Sequence, residues 1–186
     1  MNLILASSSP RRKELLTAIG LDFSVHPSNF EEKDTHLTPE ELALENAMGK
    51  AKDIARHYND AIIIGADTVV AVDEHFLGKP KDTADARRIL KLLSGTTHKV
   101  ITAIHLINTA TNKHLSATET TLVTIDDHTE NDIEKNINSG EGQDKAAGYA
   151  IQGMGSLFIR KIEGDYFNVV GLPIYRLNKM LTEITS

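Results

Sequence analysis

The stretch Leu3-Ile4-Leu5-Ala6-Ser7-Ser8-Ser9-Pro10-Arg11-Arg12-Lys13 decides the fold at the start of the chain, because a short apolar strand runs directly into a helix. Ser9 suits the N-cap position, Pro10 suits the first helical position, and Gly20 is a typical helix end. The apolar stripe of this helix consists of Leu15, Leu16 and Ile19. The strand and helix together form the first unit of an α/β fold.

The first turn of this helix carries positive charge, although helix N-termini favour negative charge: Arg11, Arg12 and Lys13. Each unpartnered cation there costs roughly 0.3–1 kcal/mol, whereas a bound anion makes the arrangement favourable. The basic side chains could instead bend into water at a cost that a protein tolerates. Two adjacent arginines beside three serine hydroxyls suit a polyphosphate better than a single carboxylate. We therefore predict a phosphate-binding site at this junction.

Length and composition indicate one domain covering residues 1–186. The chain has 40% hydrophobic and 25% charged residues, and none of its apolar runs is long enough to cross a bilayer. The N-terminal apolar segment is too short for a signal peptide, so we expect a cytoplasmic protein.

Cysteine is absent, which excludes disulfides and thiolate metal ligands. A net charge of −6 argues against broad nucleic-acid binding, but it allows a small anionic ligand in a basic pocket.

Alternating helical and strand periodicity predicts an α/β fold with a mixed sheet and flanking helices. Beyond the first helix, we expect strands at 22–26, 60–73, 99–107, 114–125 and 156–162, and helices at 39–58, 82–93, 130–138 and 172–185. The strand at 60–73 is expected to be interrupted at Gly65-Ala66-Asp67-Thr68. A polar loop at 27–39 contains Glu31, Glu32 and Asp34, and a Gly-rich loop occupies 139–155 and contains Asp144-Lys145.

Two charged residues lie where apolar residues are expected. Lys50 falls within the apolar stripe of the helix at 39–58, so its ammonium either extends to the edge of the core or enters a polar pocket that holds an anion. Asp67 lies between the runs 62–64 and 69–72, and a carboxylate near a sheet core needs a cation, a metal or a proton. Asp67 could also serve a structural role by accepting bonds from backbone N–H groups. Because buried carboxylates near cations are enriched at active sites, we favour a functional role.

Several motifs of nucleotide and metal enzymes are absent from the sequence: G-x-x-x-x-G-K-[ST], G-x-G-x-x-G, H-E-x-x-H and G-x-S-x-G. The eight histidines are scattered, with none at the spacing of metal ligands on one helix face. The remaining features are a basic, hydroxyl-rich anion site and carboxylates that suit a hard cation such as Mg²⁺ or Mn²⁺.

The order and spacing of these features resemble the Maf family of nucleoside triphosphate pyrophosphatases along essentially the whole chain. The resemblance is carried by Ser7-Ser8-Ser9-Pro10-Arg11-Arg12, Glu32, Lys50-Ala51, Gly65-Ala66-Asp67-Thr68, Gly78-Lys79-Pro80, Ser94-Gly95-Thr96-Thr97-His98, Asp144-Lys145-Ala146, Tyr149-Ala150-Ile151-Gln152-Gly153 and Val170-Gly171-Leu172-Pro173. It implies an inosine triphosphatase-like fold with two lobes around a cleft, often as a homodimer. The implied reaction cleaves the α–β phosphoanhydride of a nucleoside triphosphate to the monophosphate and pyrophosphate.

Site residues follow from the resemblance together with the chemistry of the side chains. Asp67 is the implied proton acceptor that activates water, and the catalytic site is completed by Ser7, Arg11, Arg12, Glu32, Lys50 and Lys79. Phosphate is expected to be bound by the serine-rich turn and by basic residues that neutralise its charge: Ser7, Ser9, Arg11, Arg12, Lys50 and Lys79. Glu32 and Asp67 are expected to hold the divalent metal, Mg²⁺ or Mn²⁺, or to orient water.

Arg12, Thr68 and Gln152 match the positions associated with the subgroup that hydrolyses dTTP and UTP. A sister subgroup, which is similar to 7-methyl-GTP pyrophosphatases, departs at these positions. Ala147-Gly148 departs from the family pattern, in which the order Gly-Ala is more usual. A nucleotide-binding regulator of cell division is an alternative from another functional class, since the name of the family that the chain resembles comes from an effect on septum formation.

Overall fold

The computed structural model describes residues 1–33, 37–73, 75–143 and 145–186, so Asp34 and Asp144 lie outside the described residues. The strands are β1 Asn2–Leu5, β2 Ser24–Val25, β3 Ala61–Val72, β4 His75–Leu77, β5 Thr97–Asn108, β6 Lys113–Ile125 and β7 Ile159–Glu163. The helices are α1 Pro10–Ala18, α2 Pro39–Ala55, α3 Thr83–Leu93, α4 Glu130–Ser139, α5 Tyr166–Val170 and α6 Ile174–Thr185. Among the described residues, every helix is too short or too polar to cross a lipid bilayer. The predicted mixed α/β architecture is confirmed.

The local signals explain where the helices begin. The Ser9 side chain accepts a bond from the backbone N–H of Arg12 at the start of α1. Thr38 and Glu41 form a capping box, in which each side chain bonds the backbone of the other at the start of α2. α3 begins after an Asp82 cap and ends at Ser94, as the sequence predicts.

Within the described parts of the chain, seven strands form one mixed sheet in the order β2-β1-β3-β5-β6-β7, and the short β4 pairs with β3. β1 lies parallel to β2 and β3, whereas the long strands β3, β5 and β6 pair antiparallel. β1 accompanies β3 only as far as Ile64, and β4 begins to pair at Val70. Among the described residues, no strand pairs with this edge of β3 over 66–69. β1 ends at Leu5, which pairs with Ile64, and the chain then continues through the serine-rich turn into α1. The unpaired edge of β3 therefore lies beside that turn.

The expected interruption of the strand at 60–73 is wrong. β3 runs without a break, and Gly65, Ala66, Asp67 and Thr68 pair in register with β5. The glycine has a different cause, because a Cβ at Gly65 would lie only 2.2 Å from the backbone oxygen of Ala47. Its absence of a side chain allows α2 to lie directly on the strand.

Several further details differ from the prediction, among them the start of β7, the short helix α5 and the end of α1. β7 begins at Ile159 rather than at residue 156, because a 3₁₀ turn occupies Met154–Leu157. The short helix α5 follows an Asp165 cap, and the sequence analysis missed it because five residues are too few to show periodicity. Ile19, expected in the apolar stripe of α1, is 45% exposed because the helix ends one residue earlier.

Candidate active site

A cleft of about 680 Å³ opens at the carboxyl end of β1 and along the unpaired edge of β3. Its walls are the Ser7–Arg12 turn, the segment before α2, residues 67–70 of β3, the Gly78-Lys79 turn and residues 169–171. Ligands of open α/β sheets bind at such carboxyl ends, where loops and helix N-termini converge. The cleft therefore coincides with the predicted phosphate site.

Lys50 and Asp67 form the charged centre of the cleft. The Lys50 Nζ atom lies 2.7 Å from Asp67 Oδ1 and 2.6 Å from Glu32 Oε1. The side chains of Lys50 and Asp67 are only 12% and 9% exposed. Of the two sequence alternatives for Lys50, the structure therefore selects a polar pocket that contains an anion.

Asn46 supports the same carboxylate from one helical turn before Lys50. Its Nδ2 atom donates to Asp67 Oδ2 at 3.3 Å, and its Oδ1 atom accepts from the backbone N–H of Lys33 at 2.9 Å. Asn46 thus connects Asp67 to the segment that carries Glu32. The sequence analysis missed Asn46, although its position four residues before Lys50 places both side chains on one face of α2.

The charge at Glu32 is set by competing effects. Partial burial alone would raise the pKa of the Glu32 carboxyl, but the hydrogen bond from Lys50 and the charges of Lys50, Lys79 and Arg12 outweigh it and lower that pKa. Glu32 is consequently ionised at neutral pH. The cleft presents two carboxylates within reach of one ammonium group.

The donor set can be compared with that needed by a divalent cation. Among the described residues, no group of three carboxylate or imidazole side chains is arranged to hold a metal. Mg²⁺ commonly uses one or two carboxylates and completes its coordination with water and substrate phosphates. The Lys50 ammonium stands in for such a cation between Glu32 and Asp67. The residues present therefore fit a metal that is bound together with a phosphorylated substrate.

Arg12 lies on the other side of the cleft, with its guanidinium oriented by three protein oxygens. Nε donates to the backbone oxygen of Gly171 at 2.8 Å, Nη1 to Ser7 Oγ at 3.2 Å and Nη2 to Thr68 Oγ1 at 3.0 Å. Burial lowers the pKa of Arg12, although the charges of Asp67 and Glu32 oppose this effect. Because a guanidinium has five N–H donors, two remain for a ligand.

Asp67 and Thr68 are neighbours on β3, so their side chains point to opposite faces of the sheet. Asp67 faces α2 and its lysine, whereas Thr68 faces Arg12. Both reach the same cleft because the β3 edge between them is unpaired. The strand edge thus separates the side that carries the Lys50–Asp67 pair from the side that carries Arg12 and Thr68.

The other predicted site residues divide between the cleft and the surface. Ser7, Ser9, Arg11 and Lys79 all line the cleft. Gln152 is exposed and is not among the residues that line it. The cleft also contains Tyr149 and Gly171, which the sequence analysis quoted as family motifs without assigning them a role.

Tyr149 contributes a phenol to the wall of the cleft, and its hydroxyl lies 2.7 Å from Nε2 of the buried His98. Burial raises the pKa of Tyr149, so the phenol stays neutral. Burial also lowers the pKa of His98 to about 4. The pair is therefore uncharged at neutral pH and positions the tyrosine ring.

His98 leads to a prediction about acid stability. Its pKa is about 4 in the folded protein, below the ordinary value of 6.5, so the unfolded chain takes up the proton first as the pH falls. The free energy of unfolding should decrease between about pH 6.5 and pH 4, by up to about 3 kcal/mol from this group. Urea unfolding of the His98→Gln variant should show a weaker pH dependence than the wild type. The exposed His57→Gln variant is the control, and its free energy of unfolding should depend on pH as that of the wild type does. The same pH dependence in all three proteins would exclude His98 as the cause.

Ala147 shows a steric consequence of the departure from the family pattern. It adopts φ 60° and ψ 13°, a left-handed conformation that is uncommon for a residue with a side chain. The more usual order, Gly-Ala, would remove the steric cost at position 147 but would place the alanine at position 148. Gly148 also has a positive φ of 69°. The change in order therefore alters where strain lies in the turn beside Tyr149.

Comparison with known proteins places this cleft in a family. The family model described as Maf-like protein matches residues 2–184. A dTTP/UTP pyrophosphatase of Alkaliphilus oremlandii is 49% identical over 181 residues, which are 96% of this chain and 94% of that protein. A dTTP/UTP pyrophosphatase of Dictyoglomus thermophilum is 45% identical over 184 residues, which are 98% of this chain and 95% of that protein.

Among solved structures, the Staphylococcus aureus Ham1 protein is similar with a TM-score of 0.47 and 18% identity, over 67% of this chain and 72% of that one. The extent of the family match and the identity to full-length relatives decide the assignment. The chain belongs to the Maf-like protein family.

Proposed function

We propose that this protein is a nucleoside triphosphate pyrophosphatase that hydrolyses dTTP and UTP to the monophosphate and pyrophosphate. The observation that carries the proposal is the convergence of Asp67, Lys50 and Glu32 at one end of a cleft that also contains the basic turn at 7–12. A binding module needs the basic turn but has no use for a nearly buried carboxylate with a cation and an amide on its two oxygens. The names of the relatives support the same activity.

Each side chain has a distinct task in this reaction. Asp67 accepts the proton of the water that attacks the α-phosphorus, as a general base. The phosphate oxygens are bound by the cations on the cleft wall: Arg11, Lys50 and Lys79. The developing negative charge on the leaving pyrophosphate is stabilised by these cations, of which Lys50 is held in position by Glu32 and Asp67. Ser7 and Ser9 orient the turn, since the backbone N–H of Ser9 donates to Ser7 Oγ at 3.2 Å.

Glu32 and Asp67 are proposed to hold Mg²⁺ or Mn²⁺, which supplies charge neutralisation at the phosphates. Activity should therefore disappear with a chelator and return when either metal is added. The Glu32→Gln variant should need at least about 10-fold more Mg²⁺ for half-maximal activity, because it loses one anionic ligand. The exposed neighbouring variant Glu31→Gln is the matched control and should titrate like the wild type. Identical Mg²⁺ titrations of the two variants would remove Glu32 from the metal site.

Base selection is proposed to lie on the side of the cleft that Thr68 faces. Arg12 and Thr68 line this side, and their polar atoms can read the carbonyl and N–H groups of a pyrimidine. Gln152 matches the third position of the dTTP/UTP subgroup but is exposed and lies outside the cleft lining. A contribution from Gln152 would therefore require movement of the turn at 150–153 toward the base.

The proposed function is tested by incubating the purified protein with Mg²⁺ or Mn²⁺ and single nucleotides, followed by separation of the products. The panel contains dTTP, UTP, CTP, ATP, GTP, 7-methyl-GTP and pseudouridine triphosphate. We expect monophosphate and pyrophosphate from dTTP and UTP. Preferred hydrolysis of 7-methyl-GTP would assign the sister activity, and no turnover of any nucleotide would favour the binding regulator.

A further inference from the structure

A chain of hydroxyl groups runs from Thr68, beside the Arg12 guanidinium, into the core. Thr68 Oγ1 lies 2.9 Å from Thr102 Oγ1, which in turn lies 3.1 Å from the backbone oxygen of Asn168. Thr102 is on β5 directly opposite Thr68 and has 0% exposure. Its hydroxyl must find its partners within the protein.

The backbone oxygen of Asn168 fixes the direction of the hydrogen bonds between these hydroxyl groups. A carbonyl oxygen only accepts, so Thr102 donates its single proton to Asn168 O. Thr102 must then accept from Thr68, and the single proton of Thr68 is committed to that bond. The opposite direction would leave two oxygen lone pairs facing each other at 3.1 Å.

Thr68 is therefore left with only an acceptor for any bound molecule. One of its two lone pairs accepts from Arg12 Nη2 at 3.0 Å, and its proton is used by Thr102. The remaining lone pair belongs to a side chain that lines the cleft. Beside it, Arg12 retains two N–H donors. A ligand group that meets both must offer an N–H or O–H to Thr68 and an oxygen to Arg12.

We infer that Thr102 is a positioning residue for base specificity, which holds Thr68 as an acceptor for the ring N3–H of uracil and thymine. The inference rests on the proposed function and explains how a hydroxyl, which in general can donate or accept, distinguishes between pyrimidines. Cytosine presents an unprotonated N3, so its lone pair would face that of Thr68. The carbonyl oxygens that flank N3 of uracil suit the free donors of Arg12.

The Thr102→Val variant tests the inference with little disturbance of the core. Valine has nearly the shape of threonine, and Asn168 O keeps a second partner because the backbone N–H of Gly171 donates to it at 3.0 Å. Without the Thr102 acceptor, the Thr68 proton is free to point into the cleft. Thr68 can then donate to the N3 of cytosine.

We expect the ratio of kcat/KM for UTP to that for CTP to fall by about 10- to 100-fold in Thr102→Val. Most of this change should appear in KM, since Asp67 and Lys50 lie on the other face of β3. The Thr102→Ser variant restores the hydroxyl and should keep the wild-type ratio within about 3-fold. An unchanged ratio in folded Thr102→Val, or equal losses in the valine and serine variants, would overturn the inference.

A second measurement uses the wild-type protein and requires no variant to fold. Methylation of UTP at N3 removes the proposed donor, so 3-methyl-UTP should be hydrolysed at least about 100-fold less efficiently than UTP. Methylation at C5 leaves the donor in place and serves as the control for size. Comparable turnover of 3-methyl-UTP and UTP would overturn the inference and leave the proposed function standing. Failure of the wild type to release pyrophosphate from UTP would instead overturn the proposed function, and the inference with it.

Discussion

Replacement of Asp67 by asparagine is expected to lower kcat for dTTP by about 10²- to 10⁴-fold, the usual contribution of a positioned general base. The amide has the size of the carboxylate but cannot accept a proton from water. Its oxygen can still accept from Asn46 Nδ2, whereas its NH₂ group would face the Lys50 ammonium. Lys50 keeps Glu32 as a charged partner, so this variant should lose less stability than one in which Asp67 is left without its lysine.

The matched control is Asp73→Asn, at the end of the same strand. Asp73 is exposed and has a φ of 50°, a conformation that asparagine tolerates well. This variant should keep the wild-type kcat. The two proteins are compared in pyrophosphate release at saturating dTTP, with the folded state checked by circular dichroism. Near-normal turnover by folded Asp67→Asn would exclude Asp67 as the base.

Replacement of Lys50 by methionine is expected to lower kcat/KM for dTTP by at least about 10²-fold, because it removes a cation from the phosphate site. It also leaves Asp67 nearly buried without its charged partner. Removing one member of such a pair typically costs about 3–5 kcal/mol of stability. Loss of activity alone would therefore not separate catalysis from folding.

The double variant Lys50→Met with Asp67→Asn makes that separation. With both charges removed, the free energy of unfolding measured in urea should return to within about 1–2 kcal/mol of the wild type. Activity should stay lost, since neither group is present. Lys52→Met, an exposed position on the same helix, should change neither quantity. Recovery of activity together with stability in the double variant would show that Lys50 and Asp67 are structural.

The helix starts and the long hairpin could be predicted because their signals are local. Caps, a first-turn proline and strict periodicity act over a few residues, and they identified α1, α2 and the pair β5 and β6. The same local rules misread Gly65 as a strand break. The closeness of α2 to β3, which requires that glycine, depends on packing between segments that the sequence alone does not reveal.

The candidate site was predictable to the extent that its residues break local rules. Lys50 in an apolar stripe and Asp67 between apolar runs attracted attention for that reason, and the structure joins them. Asn46, Thr102 and Asn168 were missed because polar residues at such positions are common and gain meaning only from their partners. The pairing of Thr68 with Thr102 depends on strand register, which a single sequence does not fix.

The position of bond cleavage tests the central claim most directly. The protein is incubated with dTTP and Mg²⁺ in water enriched in ¹⁸O, and the products are analysed by mass spectrometry and ³¹P NMR. If water activated by Asp67 attacks the α-phosphorus, the label appears in dTMP and the pyrophosphate is unlabelled. Label in pyrophosphate or in inorganic phosphate, or no dTMP at all, would contradict the account.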